Sequence, residues 1–260
     1  LVLTNKTVQV IDAMLVNLPQ YSPSYRLQIE GGELGEVDKA LNLASFTFTK
    51  PMQPGEQRAG KVEVVRQIVG FEDGSGDPTL VKNGTFINNY ELFGQFGFAP
   101  ERKLTDKHER RKRDLPELQR AYPLEDSRHY ADSFFGKGVG LIDFAVTLST
   151  DAEQTAIAPG YLTRQWQDNG REYFRYEMDS PMVNFYSLMS ARLAVKKQQY
   201  KGIDIEVYYH PAHHWNVDRM MESVRDSLDY FTEAFGPYQH RQMRIIEFPG
   251  YRSFAQSFAN

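Results

Sequence analysis

The chain contains no cysteine, which excludes disulfides, thiolate nucleophiles and any cysteine-ligated zinc. That absence is compatible with an oxidising compartment but does not require one. No stretch approaches the roughly 18 consecutive apolar residues of a membrane-spanning helix, and no basic-then-apolar leader opens the sequence. No Gly-x-Ser-x-Gly elbow is present, so a serine hydrolase of that kind has no support. Charge of one sign is scarce too: 30 Lys and Arg stand against 34 Asp and Glu, a net charge of −4. A nucleic-acid partner calls for a basic face, and none is expected here.

What is present is a globular composition. The 260 residues are 41% apolar and 13% aromatic, enough for one large or two ordinary domains with a sizeable core. The sequence begins at Leu1 without a Met and runs to Asn260 without a stop signal, and the expectation is a piece cut from a longer polypeptide.

The first two thirds read as β structure. Val2–Met14 is rich in Val, Ile and Thr, and Leu43–Thr49 alternates before the turn Met52-Gln53-Pro54-Gly55-Glu56. Lys61–Val69 is a β-branched run ended by the loop Asp73-Gly74-Ser75-Gly76-Asp77-Pro78. Gly140–Thr150 places Phe144, Val146 and Leu148 on one face. Leu162–Gln167 and Arg171–Met178 flank Asp168-Asn169-Gly170, and Asn-Gly between apolar-aromatic runs is a strong hairpin signal because both residues tolerate positive φ. Short strands without intervening helical periods predict an antiparallel sandwich.

Between these strands, 101–130 is different in kind, with Arg110-Arg111-Lys112-Arg113 among Glu101, Asp106, Glu109 and Asp114. A basic patch for phosphate or an anionic surface is one reading. The nearby carboxylates favour the other, a solvated insertion or short helix whose charges mostly cancel.

Near residue 200 the organisation changes. Ile203–Tyr209 alternates as a strand, and Val217, Met220, Met221, Val224, Leu228, Phe231 and Phe235 then form one helical apolar stripe. Asn216 is the expected N-cap, Asp218 lies in the first turn, and Gly236-Pro237 stops the helix. The strand Met243–Phe248 follows, ended by Pro249-Gly250. The expected division is a β-sandwich domain over 1–199 and an α/β part over 200–260.

Few residue groups here carry chemistry. His210, His213 and His214 cluster in His-Pro-Ala-His-His-Trp, but Pro211 prevents a helix from setting a pair at i and i+4, and no carboxylate has metal-ligand spacing. A polar loop is the expected reading. His108-Glu109 begins like a His-Glu-x-x-His zinc motif and fails at Lys112. Gly136-Lys137-Gly138-Val139-Gly140 leads into a strand instead of a helix N-terminus, so it lacks the physical basis of a phosphate loop. No catalytic and no metal-binding residue is assigned.

From Tyr200 onward a resemblance enters. Tyr-Tyr-His-Pro-Ala-His-His-Trp-Asn-Val (208–217), Ser-Leu-Asp-Tyr-Phe (227–231), Phe-Gly-Pro-Tyr (235–238), Arg-Ile-Ile-Glu-Phe-Pro (244–249) and Ser-Phe-Ala-Gln-Ser-Phe-Ala-Asn (253–260) follow in order. Together they resemble the start of the catalytic domain in aminopeptidase N-like zinc peptidases, the gluzincin aminopeptidases. More narrowly, the chain is similar to the aminopeptidase-like domain that bacteria fuse to an ABC-transporter permease. Upstream, Gln-Pro-Gly-Glu (53–56), Asn-Gly-Thr-Phe-Ile-Asn-Asn (83–89), Asp-Phe-Ala-Val-Thr-Leu-Ser-Thr (143–150) and Ala-Ile-Ala-Pro-Gly-Tyr-Leu (156–162) extend the likeness over nearly the whole chain.

The resemblance implies an N-terminal antiparallel β-sandwich "saddle" domain followed by the first sheet lobe of a thermolysin-like domain that stops before the zinc motif. It also implies that zinc belongs to the parent polypeptide and that this chain holds no cofactor. In the family a Gly-Ala-Met-Glu-Asn segment lines the substrate, and Gln256, Ser257, Phe258, Ala259 and Asn260 match its place. Aligning on the final Asn puts Ala259 where the family has a Glu that grips the substrate's free amine. Gln256 and Asn260 either line a peptide backbone as an edge strand or simply end a strand.

Two functions follow from the resemblance. One is the non-catalytic front portion of a zinc metallopeptidase, roofing a peptide cleft completed by the rest of the catalytic domain. The other is an extracytoplasmic peptide-binding or gating module of an ABC transporter, a domain of a bacterial inner-membrane protein partnered by its permease part.

Overall fold

β-branched and aromatic residues set at a period of two make strands the commonest element of this chain, and one long helix interrupts them near the end. The computed structural model describes residues 1–19, 24–67, 79–97, 103–118, 122–129 and 140–259. The loop at 73–78 and the glycines at 136–139 lie outside the described residues. Two compact units form, Leu1–Gln67 with Tyr90–Val139, and Ile68–Asn89 with Gly140–Asn260.

The chain opens with β1 (Val2–Thr4), β2 (Ile11–Asn17), β3 (Ser24–Ile29), β4 (Gly32–Leu34), β5 (Leu43–Met52) and β6 (Gln57–Val65). β7 (Leu80–Val81) and β8 (Gly84–Asn88) belong to the second unit, and α1 (Asn89–Phe93) then leads to β9 (Gln95–Phe96) and α2 (Lys107–Arg111). The second unit resumes with β10 (Leu141–Ile142), β11 (Ala145–Asp151), β12 (Thr155–Ile157), β13 (Tyr161–Asp168), β14 (Arg171–Glu177), β15 (Met182–Val183) and β16 (Ser187–Ala191). It closes with β17 (Ala194–Tyr200), β18 (Ile203–Tyr209), α3 (Val217–Phe235) and β19 (Gln242–Ile246).

The first unit is built of antiparallel sheets ordered β1-β6-β3 and β4-β5-β2-β9. β5 shows why: Ala44, Phe46 and Phe48 point inward, and Ser45, Thr47 and Thr49 outward. Phe46, Phe48, Met52 and Val16 meet Leu27 and Ile29 of β3 in one core, so the sheets pack face to face. The turn before β6 is of type II, with Pro54 leading and Gly55 at φ +79°. The amide of Glu56 donates to the Gln53 carbonyl at 3.0 Å.

The charged run at 103–118 is partly paired within itself. Lys112 and Arg113 pair with Glu109 at 2.7 and 2.6 Å, and Lys107 pairs with Glu117 at 2.9 Å. Arg110 turns inward and donates to the carbonyls of Leu104 and Pro116.

The second unit carries sheets ordered β11-β14-β13, β12-β16-β8-β7, β10-β15 and β17-β18-β19. Asn169 and Gly170 take φ of +47° and +75°, which closes the β13–β14 hairpin as their sequence predicts. The stretch expected as one strand from Gly140 is split: β10 pairs with β15, and β11 pairs with β14. Among the described residues all pairing is antiparallel except β18 with β19, which run parallel with α3 between them. The fold is thus mainly antiparallel β with a C-terminal α/β part.

Two details of α3 differ from expectation. Asn216 makes no side-chain cap, because the 3-10 turn Pro211–Asn216 delivers the chain already wound into the helix. The apolar stripe is buried only in part: Val217, Met221, Val224 and Leu228 are covered, while Met220, Phe231 and Phe235 are exposed.

Phe46 is fully buried at the centre of the first core. Phe46→Ala is expected to cost about 3–5 kcal/mol in chemical denaturation, whereas Phe235→Ala on the exposed end of α3 costs less than about 0.5 kcal/mol.

Candidate functional site

Strand β18 alternates, and its inward residues Ile205 and Val207 are 0% and 1% exposed beneath Val217, Met221, Val224 and Leu228 of α3. The helix reverses the chain so that β19 returns parallel, with Tyr208 opposite Ile246. The next residues of both strands therefore leave the sheet at the same end. The carboxyl ends of adjacent parallel strands are where α/β folds open a crevice for ligands.

His210 and Glu247 meet at that end. The His210 amide donates to Glu247 Oε2 at 2.7 Å, and His213 Nδ1 contacts Glu247 Oε1. His210 Nδ1 accepts from the Ala212 amide at 3.2 Å, and the His214 ring lies against Trp215, 5.2 Å between centroids. The three histidines are thus committed to a turn, a carboxylate and an aromatic neighbour, not to a common point. Among the described residues no group of His, Asp and Glu converges as a metal ligand set.

Among the described residues the terminal segment contains no strand after Ile246. Of the expectation that Gln256 and Asn260 line or end an edge strand, the Gln256 part is not met: past Glu247, whose amide still donates to the Tyr208 carbonyl at 2.9 Å, 248–259 has no strand and carries ring contacts. Phe248 packs on Phe86 at 4.7 Å and on Phe254 at 5.3 Å, and Phe258 packs on Phe185 at 5.3 Å. Gln256 and Ser257 are exposed, Phe258 and Ala259 are half-buried, and Asn260 lies outside the described residues.

Sequence reasoning missed the polar anchor of this α/β part. Arg244 of β19 is half-buried, donates to the Ala158 carbonyl at 2.9 Å, and has the Tyr176 ring 5.7 Å from its guanidinium carbon. Gln242 donates to the Gly160 carbonyl at 2.9 Å. Next to them Glu206 accepts from Lys197 at 2.5 Å and from Tyr208 at 2.6 Å. Burial alone raises the Glu206 carboxyl, but those donors outweigh it and hold the group below the ordinary range. Alternation along β18 signals only that Glu206 faces away from Ile205 and Val207; nothing local announces Arg244 as its neighbour.

No protein-family model matches the chain, and no curated protein matches it. Solved structures do. An M1 zinc metallopeptidase from Deinococcus radiodurans superposes with a TM-score of 0.58 at 14% identity, over 96% of this chain and 52% of that one. The chain shares its fold with M1 zinc metallopeptidases. A mutant M1 zinc metallopeptidase from the same organism, bound to a Tyr-Ser-Ala substrate, gives 0.59 at 13% identity with the same coverage. A two-domain M1 zinc metallopeptidase mutant bound to L-tryptophan gives 0.58 at 16%. The chain therefore spans about half the length of the M1 structures it matches, 52% in each case.

Burial fixes the pH response. Tyr25, Tyr176 and Tyr186 are each pushed up to about 12. Unfolded phenols ionise near pH 10, so the unfolded state gains protons less readily there and stability is withdrawn as the pH rises from about 10 to about 12. Glu206 acts in the opposite window: its contribution is present above the ordinary Glu value of about 4.3 and fades as pH falls through its lower folded value. Urea midpoints are expected to fall at both ends, the alkaline fall accompanied by phenolate absorbance. Tyr176→Phe removes the 2.9 Å bond to the Ala156 carbonyl, lowering neutral stability, and flattens the alkaline limb.

Proposed function

We propose that this chain is the N-terminal portion of an aminopeptidase-like zinc metallopeptidase, the part that roofs and partly lines the peptide-binding cleft of a longer polypeptide. The observation that carries this reading is the match of nearly the whole chain, 96%, to about half of each M1 structure. In this reading 1–199 is the saddle domain and 200–260 begins the catalytic domain, with Gln256, Ser257, Phe258, Ala259 and Asn260 facing the substrate.

The surface of α3 supports it. Tyr230, Phe231 and Phe235 are 65%, 55% and 81% exposed beside an apolar groove of about 970 Å³ between α3 and the β19 region. Among the described residues β19 pairs only with β18. An apolar helix face beside an open sheet edge suits cover by the remaining half of such an enzyme. The described residues do not fit zinc, since no ligand set converges among them. The metal would be held by residues of the longer polypeptide, where it supplies an activated water.

A second reading keeps the fold without hydrolysis: an extracytoplasmic peptide-binding or gating module that serves an ABC-transporter permease in a bacterial inner membrane. Ala259 favours it, because a methyl group cannot pair with the substrate ammonium that the family's Glu would hold.

The longer polypeptide is expected to hydrolyse an aminoacyl-amide reporter and to lose that activity with a chelator. A zinc-loaded sample that binds short peptides calorimetrically but turns none over rejects the enzyme reading in favour of the second.

A further inference from the structure

A second cavity, of about 600 Å³, opens at the carboxyl end of the β18–β19 pair. Its volume suits a ligand of a few residues or a small metabolite. Lys82, Arg192, His213, Glu247, Tyr251 and Arg252 are among the side chains that line it. Its walls are tied to one another. Arg192 Nη1 donates to the Lys82 carbonyl at 3.1 Å, and Asn83 Nδ2 donates to the Pro249 carbonyl at 3.3 Å. Gly250 lies close against Val81, where an added Cβ would come within 3.4 Å of a Val81 methyl.

The balance of donors and acceptors in this cavity is one-sided. Glu247 is its single carboxylate, and both oxygens are engaged, one by His213 and one by the His210 amide. Arg192 places Nε on Glu153 at 3.0 Å and Nη1 on the Lys82 carbonyl. A guanidinium has five N–H donors, so among the described residues three of them are unspent. The Lys82 ammonium is exposed and makes no ion pair among the described residues. With the Glu247 oxygens engaged and donors of Arg192 and Lys82 open among the described residues, this cavity selects a ligand that brings its own acceptors. A planar carboxylate matches the guanidinium fork in two parallel bonds.

We infer that this cavity binds the terminal carboxylate of a short peptide, with Arg192 as the fork and Lys82 as a supporting charge. The inference rests on the peptide-binding reading and deepens it, giving the peptide a polarity: its carboxyl end lies at the end of the β18–β19 pair. Tyr251, 99% exposed at the rim, offers a ring to the residue before the carboxylate.

Calorimetric titration of this chain separates the outcomes, with trialanine as the free acid, trialanine amide and inorganic phosphate as probes. The acid is expected to bind at least about tenfold more tightly than the amide, the size of one charge-assisted hydrogen bond. Arg192→Gln is expected to abolish that preference with an unchanged circular dichroism spectrum, and Lys82→Gln to weaken it several-fold. Equal affinity for acid and amide, or an acid preference that survives Arg192→Gln, overturns the assignment. Phosphate binding as tight as the acid overturns it in favour of an inorganic-anion site. Reporter hydrolysis by the longer polypeptide is a separate measurement, so loss of this site and loss of the peptidase reading are told apart.

Discussion

The parallel pairing of β18 with β19 is the constraint on which the functional end of this chain depends. Parallel neighbours cannot be joined by a tight hairpin; the connection must cross over the sheet and needs a dozen residues or more. The 3-10 turn and α3 supply that crossover, and the helix has to lay an apolar face on Ile205 and Val207 to do so. A further consequence is positional. Because both strands end on one side, residues 37 apart in sequence, His210 and Glu247, become hydrogen-bonded neighbours.

The α/β part is fastened within the second unit by polar groups as well as by ring contacts. Arg244 and Gln242 reach the carbonyls of Ala158 and Gly160, and Arg241 lies over the Tyr161 ring at 3.3 Å while pairing with Asp179 at 2.7 Å. A guanidinium withdrawn from water is costly unless its surroundings compensate. Here desolvation works against the charge of Arg244, and the ionised Glu206 beside it favours that charge. Such an anchor is directional, since carbonyls must be met at fixed points. Apolar contact alone would tolerate sliding.

Arginine recurs as a device in the first unit. Arg58 is 6% exposed, lies over the Phe48 ring, pairs with Glu56 and donates to the Lys50 carbonyl at 2.7 Å. Arg110 likewise serves the loop around α2, donating to the carbonyls of Leu104 and Pro116. A guanidinium can serve several carbonyls at once, and irregular connections leave several carbonyls without strand partners.

Local chemistry along the sequence determined the elements. Alternation over Leu43–Thr49 and Ile203–Tyr209, the Pro54-Gly55 and Asn169-Gly170 turns, and the stripe from Val217 to Leu228 each specify their own structure through steric limits on φ and the period of side chains. Tertiary structure decided what those elements meet. It broke the stretch after Gly140 into separately paired strands, left Phe231 and Phe235 on the surface, and joined Arg192, Lys82 and Glu247 around one cavity. No spacing in the sequence announces such meetings, because they follow from strand pairing and crossover path, which are properties of the whole sheet and not of any window of residues.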